Sequence, residues 1–139
     1  MGRMNDADPE TKPLVVAIDD DPAVLAALSR LLNREPYEFV AVSDPDKAME
    51  VIHARPVALV LADYRMPLLS GTGFLQAVKS ASPTTVRVML TAYPQSSWVI
   101  RAREMELMDL VLEKPWSNDE LRKIIREKIE DRESRIREC

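Results

Sequence analysis

The sequence predicts an α/β fold, a five-stranded parallel sheet wound with helices on both faces. Two observations carry that prediction. Short apolar runs at 14–18, 57–62, 86–90 and 110–112 are nearly continuous rather than alternating and carry β-branched residues, as suits strands buried on both faces. Between them lie segments whose apolar residues recur at helical spacing, which suits crossover helices joining parallel strands. The chain has 139 residues, a length that fits one domain able to bury a core.

The elements follow in order. Residues 1–12 are polar and without periodicity and read as a flexible N-terminal tail. The first strand, Leu14 to Ile18, gives way to Asp19-Asp20-Asp21-Pro22, where Asp21 can cap a helix and Pro22 suits its first position. Val24, Leu25, Leu28, Leu31 and Leu32 form the apolar stripe of that helix. Residues 37–42 read as the second strand. Asp44-Pro45 repeats the capping signal before a helix with Ala48, Met49, Val51 and Ile52. The third strand ends at Ala62, immediately before Asp63. An irregular loop, 65–71, leads to a helix bearing Phe74, Leu75 and Val78. The fourth strand is followed by a less regular helix near 95–105. After the short fifth strand, Ser117-Asn118-Asp119-Glu120 matches a capping box. The last helix carries Leu121, Ile124, Ile125 and Ile129, with mixed charges such as Asp119 and Lys123 on its outer face. The domain proper is expected over 13–131, with 132–139 as a helical extension or linker. Right-handed crossovers then give a doubly wound, flavodoxin-like (βα)5 sandwich.

Composition narrows the function classes. Hydrophobic residues make up 46% and charged residues 30% of the chain, ordinary for a globular domain. A net charge of -4 argues against direct nucleic-acid binding, which needs a basic surface. No apolar stretch approaches the ~18 residues of a membrane span, and no signal-peptide pattern opens the chain. The single cysteine, Cys139, excludes a disulfide framework within the chain, so a cytoplasmic location is expected.

The chemistry sits at the strand ends. In open parallel sheets ligands bind at the carboxyl ends of the strands. Asp19 and Asp20 follow the first strand, Asp63 the third, Thr91 the fourth and Lys114 the fifth. Adjacent carboxylates repel unless a cation offsets them, and Mg²⁺ prefers oxygen ligands. Asp63 and a loop carbonyl can complete such a set. A carboxylate can also attack phosphorus and form an acyl phosphate. Lys114 offers a compact positive charge and Thr91 a hydroxyl donor for phosphoryl oxygens.

These motifs resemble those of a receiver domain of two-component response regulators. The resemblance rests on Val16-Ala17-Ile18-Asp19-Asp20-Asp21-Pro22, on Leu61-Ala62-Asp63-Tyr64-Arg65-Met66-Pro67 with Gly71, on Leu90-Thr91-Ala92 and on Glu113-Lys114-Pro115. It covers residues 14 to about 131. It implies that Asp63 is the phosphoacceptor, with Asp19 and Asp20 as metal-binding acids and Asp20 the direct ligand. It implies the Arg65 backbone carbonyl as a further Mg²⁺ ligand, Thr91 as the switch hydroxyl, Lys114 as the phosphoryl contact, and a cis bond between Lys114 and Pro115. Three features depart from the family pattern or mark a variant of it. Val111 stands where an aromatic ring often couples to the threonine. Arg65 and Tyr93 occupy positions that tune phosphoryl lifetime and, being bulky, are expected to slow self-dephosphorylation. Lys114-Pro115-Trp116 is a variant seen in receivers fused to HD-GYP or sensor-kinase modules.

The implied function is a switch and not an enzyme: a partner histidine kinase or phosphotransfer protein phosphorylates Asp63, and contacts with an output domain or protein change. A homodimer is a further possible partner state. Two alternatives stand beside it. One is a degenerate receiver acting only through protein contacts. The other is a haloacid-dehalogenase-type phosphatase, which wants an acid two residues after its nucleophile, where this chain has Arg65. Too few residues follow the start of the last helix for a DNA-binding domain. The chain therefore reads as a single-domain regulator or the receiver portion of a longer protein.

Overall fold

Five strands and five helices alternate along the chain: β1 (Leu14–Ile18), α1 (Pro22–Leu32), β2 (Glu38–Val42), α2 (Pro45–Ala54), β3 (Leu59–Asp63), α3 (Gly71–Ala81), β4 (Val86–Thr91), α4 (Ser97–Glu104), β5 (Leu110–Glu113) and α5 (Asn118–Glu138). They are seen in a computed structural model that describes residues 12–63 and 71–138. The expected N-terminal tail, save residue 12, and the loop containing Arg65 lie outside the described residues.

All strands pair parallel in the order β2-β1-β3-β4-β5. The chain builds outward from β1 in one direction to β2 and then in the other through β3, β4 and β5. The winding reverses between β1 and β3, and this is where such sheets bind ligands. Register aligns the strand ends: Ile18 lies beside Ala62, Asp63 beside Leu90, and Thr91 beside Glu113.

Alternation along each buried strand divides the core into two. Val16, Ile18, Val60, Ala62 and Met89 face Ala48 and Ile52 of α2, Phe74, Leu75 and Val78 of α3, and Val99 and Ala102 of α4. Val15, Ala17, Leu59, Leu61, Val88 and Leu90 face Leu28 and Leu32 of α1 and Leu121, Ile125 and Ile129 of α5. The central strands β1, β3 and β4 are buried throughout, whereas the edge strands β2 and β5 are half-exposed. This explains why the central runs are uniformly apolar while β2 begins with Glu38 and β5 ends with Glu113.

The predicted caps are present. The Asp21 carboxylate accepts the Ala23 N–H at 2.9 Å and the Asp44 carboxylate the Asp46 N–H at 2.7 Å, each with proline opening the helix. Ser117 accepts the Glu120 N–H at 3.3 Å. Boundaries shift slightly: β3 takes in Asp63 and β4 takes in Thr91. Asp119 pairs with Arg122, not with Lys123 four residues on. The Lys114–Pro115 bond is cis. The last helix continues unbroken to Glu138, and Arg132 Nε donates to the Thr84 carbonyl at 2.9 Å.

Candidate functional site at the carboxyl edge of the sheet

Asp19 leaves β1 as the chain turns towards α1. Its Oδ1 accepts the Asp21 N–H at 2.9 Å, which holds the carboxylate against the strand end. Asp63 is the last residue of β3. Both side chains are almost wholly buried, while Asp20 is exposed. One carboxylate oxygen from each of Asp19, Asp20 and Asp63 lies within 4.8 Å of the other two. Lys114, just beyond β5, reaches across the edge of β4. Its Nζ stands 3.1 Å from Asp63 Oδ1 and 3.5 Å from Asp19 Oδ2.

Three converging acids and one ammonium leave an excess of negative charge in a partly water-excluded place. Burial pushes the Asp19 carboxyl up to about 6; the Asp63 carboxylate adds to the rise, and the Asp21 amide and Lys114 oppose it. The donor set is all oxygen, which fits a hard divalent cation and not a soft or thiophilic metal. The exposed Asp20 leaves one side of the cluster in reach of water, as suits an ion that keeps part of its hydration.

Thr91 occupies the neighbouring strand end but is engaged differently. Its Oγ1 accepts the Tyr93 N–H at 3.0 Å, while its carbonyl accepts the Lys114 N–H at 2.9 Å. Strand alternation explains the difference. Asp19, Asp63 and Lys114 share the parity of the residues facing α1 and α5, whereas Thr91 shares that of Met89, which faces α4. The structure therefore brings together Asp19, Asp20, Asp63 and Lys114, and sets Thr91 beside them with its hydroxyl holding the β4–α4 loop. Val111 packs on the α4 side of the core. Tyr93 projects outward, 58% exposed. Arg65 lies outside the described residues. The Thr91–Tyr93 bond was not legible in the sequence; a Thr two residues before a loop amide is a weak turn signal that many surface loops share.

Residues 15–126 match the response regulator receiver domain family, and the chain belongs to that family. The match settles the choice between a receiver and a dehalogenase-type phosphatase in favour of the receiver. The hydrogenase transcriptional regulatory protein HoxA of Cupriavidus necator is 33% identical over 84% of this chain, which spans 24% of that protein's length. A probable chemotaxis protein CheY of Rhizobium etli is 30% identical over 80% of this chain and 88% of its own. Among solved structures, the signal receiver domain of an HD domain-containing protein from Pseudomonas fluorescens Pf-5 superimposes with a TM-score of 0.87 at 26% identity, over 98% of this chain and 100% of that one. The chain is thus a receiver domain of the two-component response-regulator type. No helix among the described residues is long and apolar enough to cross a membrane.

Proposed function

We propose that the chain is a phosphorylation-controlled switch whose phosphoacceptor is Asp63. The observation that carries the reading is the convergence of Asp19, Asp20 and Asp63 within 4.8 Å, with the Lys114 ammonium 3.1 Å from Asp63. Phosphoryl transfer needs chiefly positioning and charge neutralisation, and this cluster supplies both. Asp19, Asp20 and Asp63, joined by the Arg65 carbonyl as the family resemblance implies, would hold Mg²⁺, which supplies positive charge beside the transferring phosphoryl group.

The donor is a phosphohistidine on a partner histidine kinase or phosphotransfer protein. A carboxylate oxygen of Asp63 attacks phosphorus, the new O–P bond forms as the P–N bond breaks, and the imidazole leaves with the electron pair. Lys114 is already placed to neutralise a phosphoryl oxygen. Thr91 donates its hydroxyl hydrogen to another, and the side-chain rotation that this needs shifts the oxygen that accepts the Tyr93 amide. That shift links the chemistry to the β4–α4 loop although β5 has Val111 and no aromatic ring. Water later attacks phosphorus, the Asp63 O–P bond breaks with its electron pair going to the carboxylate, and inorganic phosphate leaves. The output is a changed protein contact, not turnover of a small substrate. Similarity to HoxA and to the receiver of an HD-domain protein supports a role alongside an output module, and in this reading the switch acts in the cytoplasm.

The test is labelling with acetyl phosphate and Mg²⁺, then borohydride trapping and mass spectrometry. The adduct is expected on Asp63 and absent from Asp63→Asn. Equal labelling of Asp63→Asn and wild type would falsify the assignment.

A further inference from the structure

The amino edge of the sheet, opposite the acidic cluster, carries a recess of ≈ 170 Å³ between the start of β4 and the end of α5. We propose that this recess binds a small aliphatic carboxylate, held by Arg132 and Arg135. The inference goes beyond the receiver reading and does not rest on it.

Two guanidiniums share this recess, and little in the fold compensates them. Arg135 forms no ion pair among the described residues. Arg132 is only 12% exposed in its side chain, and its ion pair with Glu133 is long, at 3.4 Å. Its Nε donates to the Thr84 carbonyl at 2.9 Å, which fixes the guanidinium against the loop before β4. Burial lowers its pKa and Arg135 adds to the fall, while Glu133 opposes it. An arginine in the last turn of a helix often only offsets the helix dipole. Arg132 lies before the last turn of α5, so that account does not cover it.

The lining selects the ligand. Both guanidiniums carry only donors, in planar forks that match a carboxylate. Asp109 is the third charged lining residue, and it is already engaged: its Oδ2 accepts the Arg87 N–H at 2.7 Å. Two positive charges against one negative leave a single positive charge, which one carboxylate balances. A dianion would overshoot it beside Asp109 and Glu133, and an ammonium would be repelled by both arginines. Pro83, Val86 and Ile136 supply apolar walls, and Ile136 is 42% exposed, so a hydrocarbon stem would find cover there. The recess is smaller than pockets for drug-sized ligands, about 300–1,000 Å³, so the acid is a short one. Bound there, it would bridge the end of α5 to the loop before β4 and stabilise the docked helix end.

The test titrates the full ¹⁵N-labelled chain with sodium butyrate, with sodium acetate, n-butylammonium chloride and sodium phosphate in parallel at matched ionic strength. Butyrate is expected to give saturable amide shifts at Thr84, Val86, Asp109, Arg135 and Ile136, and to slow amide exchange over 132–138. It should bind about fivefold more tightly than acetate, and Ile136→Ala should remove that advantage. Arg135→Gln should weaken butyrate about tenfold. Arg135 is exposed and unpaired among the described residues, so this variant should keep the wild-type spectrum elsewhere. The proposal is overturned if butyrate gives no saturable shift, if butylammonium or phosphate shifts the same residues as strongly, or if Arg135→Gln binds undiminished. Equal affinity for acetate and butyrate would overturn the aliphatic preference.

Discussion

Asp19 shows how a functional arrangement opposes stability. Burial is the main reason its carboxyl is held at about 6, above the usual 3.8. An acid with a raised folded pKa binds its proton more tightly folded than unfolded. Its ionised form therefore destabilises the metal-free fold in full above about pH 6, and the penalty disappears as pH falls below about 4. Asp19→Asn is expected to stabilise the protein in EDTA by ~1–2 kcal/mol near neutral pH, with the gain vanishing in acid. Urea melts across pH check this; a gain that grows towards low pH would contradict it. Tyr37 carries a different burden. Its ring is buried, its hydroxyl has no partner among the described residues, and burial pushes its pKa well above the usual value. Tyr37→Phe should raise stability by about 0.5–1 kcal/mol; a lower unfolding midpoint would show that the hydroxyl is satisfied in solution.

Among the described elements, α4 is the shortest helix. It has eight residues, and Ser96 at its N-cap makes no side-chain capping bond. Beyond its C-cap, Met105, Glu106 takes φ 58, the only positive φ among the described non-glycine residues. A side chain there crowds its own backbone, whereas glycine does not. Arg87 reaches this turn from β4, with Nε donating to the Leu107 carbonyl at 2.9 Å, and so holds the backbone in place from below. Glu106→Gly is expected to raise the unfolding free energy by ~0.5–1 kcal/mol, measured by chemical denaturation; no change would mean that the turn relaxes in solution. A weakly capped helix next to the Thr91–Tyr93 loop is suited to moving when that bond breaks, because segments with few fixed contacts open at small free-energy cost.

At the scale of the whole molecule, the site is a product of topology. Four polar groups meet because parallel strands bring their carboxyl ends to one edge and because the winding reverses between β1 and β3. Helix α5 closes the opposite end. It runs past residue 131, the expected end of the domain, and Arg132 ties it to the Thr84 carbonyl. Arg132 is only 12% exposed in its side chain, and burial lowers its pKa. We therefore expect the cooperative unit to include part of 132–138. A chain stopped at residue 131 should lose about 1–2 kcal/mol, read as a lower urea midpoint with little change in slope. An unchanged midpoint would place the boundary at 131.

Much of this protein could be read along the chain because it is encoded locally. Uninterrupted apolar runs mark the doubly buried strands. Asp21-Pro22, Asp44-Pro45 and Ser117 mark helix starts through hydrogen bonds that span two or three residues. The strand-end polar groups Asp19, Asp20, Asp63, Thr91 and Lys114 were visible for the same reason, and the rule that parallel strands share an edge placed them together. What the sequence alone left undecided is non-local. Strand order depends on which sheet edge each crossover reaches. The reach of Lys114 to Asp63 spans 51 residues, and its double contact depends on side-chain directions set by neighbouring strands. Thr91 marks the limit most clearly. Its position at the edge follows from strand period, but the direction of its hydroxyl is a choice between a phosphoryl site and the Tyr93 amide. The oxygen that accepts the Tyr93 amide and the hydrogen it could donate elsewhere turn together about one side-chain bond, so only the surrounding tertiary structure decides where they point.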